Sequence, residues 1–302
     1  MKPVLERLPH NGRVAVIRLR SLGDCVLTTP ALRVLKQFRP DLNIAVVVEP
    51  RFAAVFEGNP DVDRILPPSS ASVTLWSPNL AINFHGGPRS VALTIASGAR
   101  VRAGFQHYRS QWAYTVKLPR AQEVFGTERK VHTAEHLASA MFHLGVPLAD
   151  IPRARLFAKP WPHFKPYAVI HPFASAAGKA WPGERFVALA RHLRDDMDIE
   201  PMILCGPDDD STPFHEFCSL RIPLAEVKSL LGSASLFVGN DSGPAHMASA
   251  SGVPVVVLYG PSDAVVWAPW KPVAAETLVR PAIAGISLDD VLTAVDRLKV
   301  HA

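Results

Sequence analysis

Short, nearly unbroken apolar runs alternate with stretches of helical spacing along the whole chain, and that alternation limits the fold more than any other feature. The runs are residues 14–17, 44–48 and 80–84 in the first half, then 167–170, 202–204, 236–238 and 253–258 in the second. Apolar runs of this length suit parallel strands covered on both faces. Between them Leu27, Ala31, Val34, Leu35 and Phe38 recur at helical spacing, as do Phe186, Leu189, Ala190 and Leu193. Strand, helix, strand in repetition predicts βαβ units and mostly parallel sheets.

At 302 residues the chain is too long for one core and fits two domains of roughly 150. Residues 152–166 contain Pro152, Pro160, Pro162 and Pro166, with Trp161 among them, and show neither period. This is stiff linker composition, and a new strand is expected directly after it at Tyr167. The expected fold is therefore α/β, with two Rossmann-like domains, 1–158 and 159–302, facing one another across a cleft. Ser287 and Asp290 form a cap pair ahead of Leu288, Val291, Leu292, Val295 and Leu298, which predicts a final helix. Packing of that helix back onto the first domain stays open.

Composition removes several classes. Hydrophobic residues at 48% and charged residues at 20% exclude a disordered chain. Net charge is 32 − 27 = +5, which suits an anionic ligand or a membrane surface. The basic residues are scattered rather than gathered in a run, so nucleic acid is not indicated. Cys25, Cys205 and Cys218 show no C-x-x-C spacing and read as reduced thiols. The first 20 residues lack the apolar stretch of a signal peptide, and the most apolar run, 253–259, is far too short to span a bilayer. A cytoplasmic protein is expected.

Three loops can carry chemistry. Arg18-Leu19-Arg20-Ser21-Leu22-Gly23-Asp24 falls where the first strand ends, the place where open parallel sheets bind ligands. Gly23 permits close backbone approach, and Asp24 reads either as a helix-capping carboxylate or as a functional one. Pro30 disfavours a helix interior, so the regular helix is expected to begin at Thr29 or Pro30. Gly239-Asn240-Asp241-Ser242-Gly243-Pro244-Ala245-His246 is a second strand end. There Asp241 or Ser242 is the expected N-cap and Pro244 the first helical residue, a helix start suited to phosphate. In Ser175-Ala176-Ala177-Gly178-Lys179-Ala180-Trp181-Pro182, Lys179 can meet a phosphate as a point charge, although no Walker A spacing is present. Asp208-Asp209-Asp210 reads as a metal site or, more simply, a solvated turn. His85-Gly86-Gly87 reads as a tight turn or a ligand loop. Neither a zinc spacing among the histidines nor a G-x-S-x-G elbow occurs.

Taken in order, these stretches resemble glycosyltransferase family 9, the heptosyltransferases of lipopolysaccharide core synthesis. The resemblance runs from Ser21-Leu22-Gly23-Asp24 and Thr29-Pro30-Ala31-Leu32 through Asn59-Pro60-Asp61-Val62-Asp63 and Phe84-His85-Gly86-Gly87-Pro88-Arg89-Ser90. It continues with Lys179-Ala180-Trp181-Pro182, Asn240 to His246, and Tyr259-Gly260-Pro261-Ser262-Asp263. It implies a GT-B fold, an N-terminal domain that holds the acceptor, and a C-terminal domain that holds a nucleotide-sugar donor, typically ADP-heptose. It also implies inverting transfer without a metal or other cofactor. Carried over residue by residue, it makes Asp24 the general base. Ser175, Lys179, Asp241, Ser242, Gly243 and His246 become donor-binding, with Asp210 (or Asp208 or Asp209) on the ribose. Arg20, Ser21, Gly23 and His85 fall on the acceptor side. The acceptor implied is a lipid-linked or other glycan, met at the peripheral cytoplasmic face of the inner membrane. Residues 265–281 are shorter than in many members and lack cysteine.

Two other classes use the same scaffold: a nucleotide- or sugar-binding protein without catalysis, and an NAD-type oxidoreductase. The second is disfavoured because neither half offers G-x-G-x-x-G.

Overall fold

The computed structural model describes residues 2–163 and 165–300. Phe164, inside the expected linker, lies outside the described residues, as do Met1, His301 and Ala302 at the outer ends of the two expected domains. The chain forms two compact units, Met1–Ala154 and Arg155–Ala302.

In the first unit the order is β1 (Arg13–Ile17), α1 (Leu22–Phe38), β2 (Asn43–Val47), β3 (Arg64–Leu66), α2 (Ser70–Trp76), β4 (Leu80–Asn83) and α3 (Pro88–Ala96). It continues with β5 (Val101–Phe105), β6 (Val116–Leu118), α4 (Ala121–Phe125) and α5 (Thr133–Leu144). The sheet order is β3-β2-β1-β4-β5-β6, with every pair parallel. The central strands β1, β2 and β4 are buried almost end to end, as their unbroken apolar runs require.

Helix α1 corrects one expectation. It starts at Leu22 and carries Pro30 in its interior. Proline cannot donate to the carbonyl four residues back, which here is Val26 O. The Thr29 hydroxyl supplies that bond instead, at 2.8 Å, so the helix runs through the proline with its buried carbonyl satisfied.

The second unit is built from β7 (Tyr167–His171), α6 (Gly183–Asp195), β8 (Glu200–Leu204), β9 (Cys218–Leu220), α7 (Leu224–Ser233) and β10 (Leu236–Asn240). α8 (Gly243–Ser251), β11 (Val255–Tyr259), α9 (Ala264–Trp267), β12 (Ala275–Val279) and α10 (Leu288–Arg297) complete it. Its sheet, β12-β11-β10-β7-β8-β9, is again wholly parallel. Counted from its own first strand, each unit has the order 3-2-1-4-5-6, the doubly wound arrangement. Its core joins Trp181, Phe186, Leu189 and Leu193 to Val238, Val256, Val291 and Val295, so α6 and α10 cover one face of the sheet together. The expected cap on α10 is present: Asp290 N–H donates to Ser287 Oγ (3.0 Å) and Ser287 N–H to Asp290 Oδ2 (3.1 Å).

Much of the proline-rich stretch is pinned rather than free. Leu156 N–H donates to Ala250 O (3.1 Å), and Trp161 N–H to Ser233 Oγ (2.9 Å). The two six-stranded parallel sheets with covering helices make up the α/β architecture of GT-B proteins.

Candidate active site at the two switch points

In a 3-2-1-4-5-6 sheet the loops after strands 1 and 4 leave in opposite directions, and a crevice opens between them. Both units place their chemically equipped loops there.

In the first unit Arg18, Arg20, Ser21, Asp24, Arg51, Phe52 and His85 line a cleft of about 500 Å³. Asp24 is the third residue of α1, with Ser21 as its N-cap. Its Oδ2 accepts from the Ser21 N–H (3.2 Å) and hydroxyl (3.0 Å), while its Oδ1 lies 3.5 Å from Arg18 Nη1. The carboxylate is thus capping and cleft-lining at once. Gly23 lies in the first turn of α1, between Ser21 and Asp24 of the cleft lining. Arg18 is only 7% exposed, and its Nε has no hydrogen-bond partner among the described residues. Arg51 also lines an adjoining cleft of about 570 Å³ with Glu49, Pro67, Pro68, Ser69 and Arg89.

The His85 loop is held from below. Asn83, fully buried at the end of β4, accepts through Oδ1 from the N–H groups of His85 (2.9 Å) and Gly86 (3.0 Å). Its amide nitrogen lies 3.1 Å from each of Ser90 Oγ, Thr94 Oγ1 and Tyr114 OH, three acceptors for its two N–H donors. Gly86 has φ +76°, and a Cβ there would stand 2.6 Å from the Tyr108 ring, so the turn requires glycine. Burial, then the Arg18 and Arg20 guanidinium groups, push the His85 imidazole below its ordinary pKa. Burial raises the neighbouring Cys25 thiol to about 12, which keeps it protonated and unreactive.

In the second unit Lys179 Nζ and Asp241 Oδ2 are 3.6 Å apart, joining the loop after the first strand to the loop after the fourth. Ser242 is the N-cap of α8 and Gly243 its first residue; Pro244 is the second rather than the first. Ser242 Oγ is buried and has no hydrogen-bond partner among the described residues. Beside it α8 begins, with Gly243 and Ala245 N–H groups in a first turn that lacks intrahelical acceptors for them and Pro244 without one, an arrangement suited to anionic oxygens. His246 lies one turn into α8 and is 6% exposed. A Cβ on Gly260 would stand 3.1 Å from Gly178 O, so its absence lets the Lys179 loop close down.

The remaining sequence assignments are placed less centrally. Ser175 is exposed in the loop that carries Lys179. The three aspartates form a turn: Asp209 Oδ2 accepts from Gly206 N–H (2.6 Å) and Asp210 Oδ1 from Thr212 N–H (2.9 Å). Those bonds from Thr212 hold Asp210 below the usual carboxylate range. No group of three His, Cys, Asp or Glu side chains arranged for a metal occurs among the described residues.

Residues 77–282 match glycosyltransferase family 9 (heptosyltransferase). The chain belongs to glycosyltransferase family 9. It is 26% identical over 291 residues to lipopolysaccharide heptosyltransferase 3 of Escherichia coli, covering 84% of this chain and 85% of that one. A family 9 glycosyltransferase from Veillonella parvula superposes with TM-score 0.83 at 20% identity, covering 96% and 97% of the two chains. E. coli heptosyltransferase WaaC, solved with ADP, gives 0.78 at 20% identity over 95% and 99%. The family makes the chain a glycosyltransferase, and the structural likeness agrees in fold.

Sequence reasoning gave no role to Arg18, Arg51, Asn83 or Asn240. Arg18 sits in a quoted motif and Arg51 in none, and only the folded structure shows that they line one cleft. Asn83 read as part of an apolar strand and Asn240 as part of the strand-end loop that leads to His246.

Proposed function

We propose that this family 9 enzyme transfers heptose, with inversion, from ADP-heptose to a lipopolysaccharide-core or related glycan at the cytoplasmic membrane surface. The observation that carries the reading is the Asp24 carboxylate, with Oδ2 anchored by Ser21 and Oδ1 turned toward the cleft beside Arg18. Such a group accepts the proton of an acceptor hydroxyl as that oxygen bonds to the anomeric carbon. The bond from the anomeric carbon to the β-phosphate oxygen breaks on the opposite face, and ADP departs. Lys179, the Ser242 hydroxyl and the first N–H groups of α8 meet the growing diphosphate charge, with Asp241 orienting Lys179. No metal is needed for this. Arg20, Arg51 and Arg89 suit an acceptor that bears phosphate or carboxylate, since guanidinium forks pair with both.

The oxidoreductase alternative has no glycine fingerprint in its support. Membership of glycosyltransferase family 9, rather than the carboxylate, weighs against a binding protein without catalysis. The test is release of ADP from ADP-heptose, in EDTA, with and without a heptose-containing core glycan. Acceptor-dependent release is expected. Selective stabilisation by UDP- or GDP-sugars or by NAD(P) in a thermal-shift panel, without turnover of ADP-heptose, would overturn the donor assignment.

A further inference from the structure

Asn240 ends β10, the fourth strand of the second unit, and is fully buried. Its Oδ1 accepts from the Trp181 N–H (3.1 Å), and its Nδ2 donates to Pro172 O (2.8 Å). These partners lie at opposite ends of the loop between β7 and α6, so one amide closes both ends of the segment that carries Lys179. An asparagine can do this because it donates and accepts through adjacent atoms; an ionised aspartate only accepts.

The end of the loop nearer Lys179 is fixed further. The Trp181 ring is 1% exposed, its Nε1 donates to Ile286 O (2.8 Å), and it meets the Phe186 ring edge-on with centroids 4.8 Å apart. Lys179 is two residues before this anchor. On the other side, Asp241 N–H donates to Leu258 O (3.0 Å), which fixes the partner carboxylate of Lys179. The end of β10 thus sets both halves of the pair, Asp241 through its backbone and Lys179 through the Asn240 amide. Asn83 ends the fourth strand of the first unit in the same way, but it holds the loop that follows its own strand rather than the loop after the first.

We propose that Asn240 is a positioning residue for the donor: it places the Lys179 ammonium beside the N-terminus of α8 and so governs diphosphate affinity without touching the diphosphate. This rests on the reading of the second unit as the nucleotide-sugar site.

The probe is ADP, titrated calorimetrically onto the whole chain. Absence of binding by the unaltered protein overturns the donor-site reading and this proposal with it. Where ADP binds, Asn240→Asp and Asn240→Ser are expected to weaken it by about tenfold or more, because a charge-assisted contact loses its geometry. Leu193→Ala, in the core at the last turn of α6, serves as the control for stability. It should lower the melting temperature and leave ADP affinity within about twofold. Lys179→Ala should weaken ADP in the unaltered protein and cost little more when added to Asn240→Asp, since both act through one contact. Folded Asn240 variants that bind ADP normally, or fully additive losses with Lys179→Ala, would overturn the proposal alone. Should neither Asn240 variant fold, amide exchange of the unaltered protein decides. ADP should slow exchange at Trp181 N–H, and unchanged exchange counts against the positioning role.

Discussion

At Asp24 the two carboxylate oxygens face different partners: Oδ2 takes both polar hydrogens of Ser21, and Oδ1 looks toward Arg18. Asp24→Asn keeps an oxygen for Ser21, so the start of α1 should lose about 1 kcal/mol or less. It removes the proton acceptor, and a positioned base is worth about 10² to 10⁴ in rate. The expected variant is folded, binds ADP normally through Lys179 and α8, and has a collapsed kcat. Were Asp24 only a cap, the pattern would reverse, with a lowered melting temperature and turnover retained. Measuring both on one preparation separates the two, and near-normal kcat would falsify the base assignment. Asp24 was legible as a residue of interest, a helix cap or a functional carboxylate, and only the family resemblance made it the base. Arg18 and the two asparagines were not legible. Their roles depend on being buried where two loops converge, and a linear sequence does not show which strand ends lie side by side.

The same limit recurs among the elements. The central strands were legible because burial on both faces makes their apolar runs continuous. Strands β3, β6 and β9 escaped detection because they are three residues long, and β5 and β12 because they are partly exposed and carry polar residues, so none has a continuous run to show. Helix α1 was misread for a different reason. The helix-breaking effect of Pro30 was visible, whereas the Thr29 hydroxyl that takes over the Val26 carbonyl is a tertiary detail of one rotamer. Thr29→Val should leave that buried carbonyl unsatisfied and cost about 1 to 3 kcal/mol in denaturant unfolding. Pro30→Ala restores an N–H donor four residues along, so the Thr29→Val cost should shrink toward zero in that background. Equal costs in both backgrounds would show that the hydroxyl has no compensating role.

Across the whole molecule, one topology occurs twice, and each copy sets charged side chains of its candidate site after the carboxyl ends of its own strands. In the first unit Arg20, Arg51 and Arg89 all follow closely on the carboxyl ends of parallel strands, Arg89 as the second residue of α3, hence on one end of the sheet. Arg51 and Arg89 have side chains 65% and 61% exposed and share Glu49 as an acidic neighbour. No helix among the described residues is long and apolar enough to cross a membrane. For the proposed lipid-linked acceptor, these arginines supply a surface that an anionic bilayer would attract. Each arginine near an anionic bilayer contributes about 1 kcal/mol, so three give about 3 kcal/mol, enough for weak and reversible association. The attraction is purely electrostatic in this account and must vanish with screening, since the Debye length falls from about 30 Å at 0.01 M salt to about 3 Å at 1 M. Co-sedimentation with phosphatidylserine vesicles should be measurable at low salt, absent at high salt, and weakened at low salt by Arg51→Ala with Arg89→Ala. Neutral phosphatidylcholine vesicles should not retain the protein at either salt concentration. Retention that survives high salt and needs detergent for release would mean that an apolar contact holds the protein to the bilayer, and the arginine end of the first sheet would lose its assignment as the membrane-facing surface.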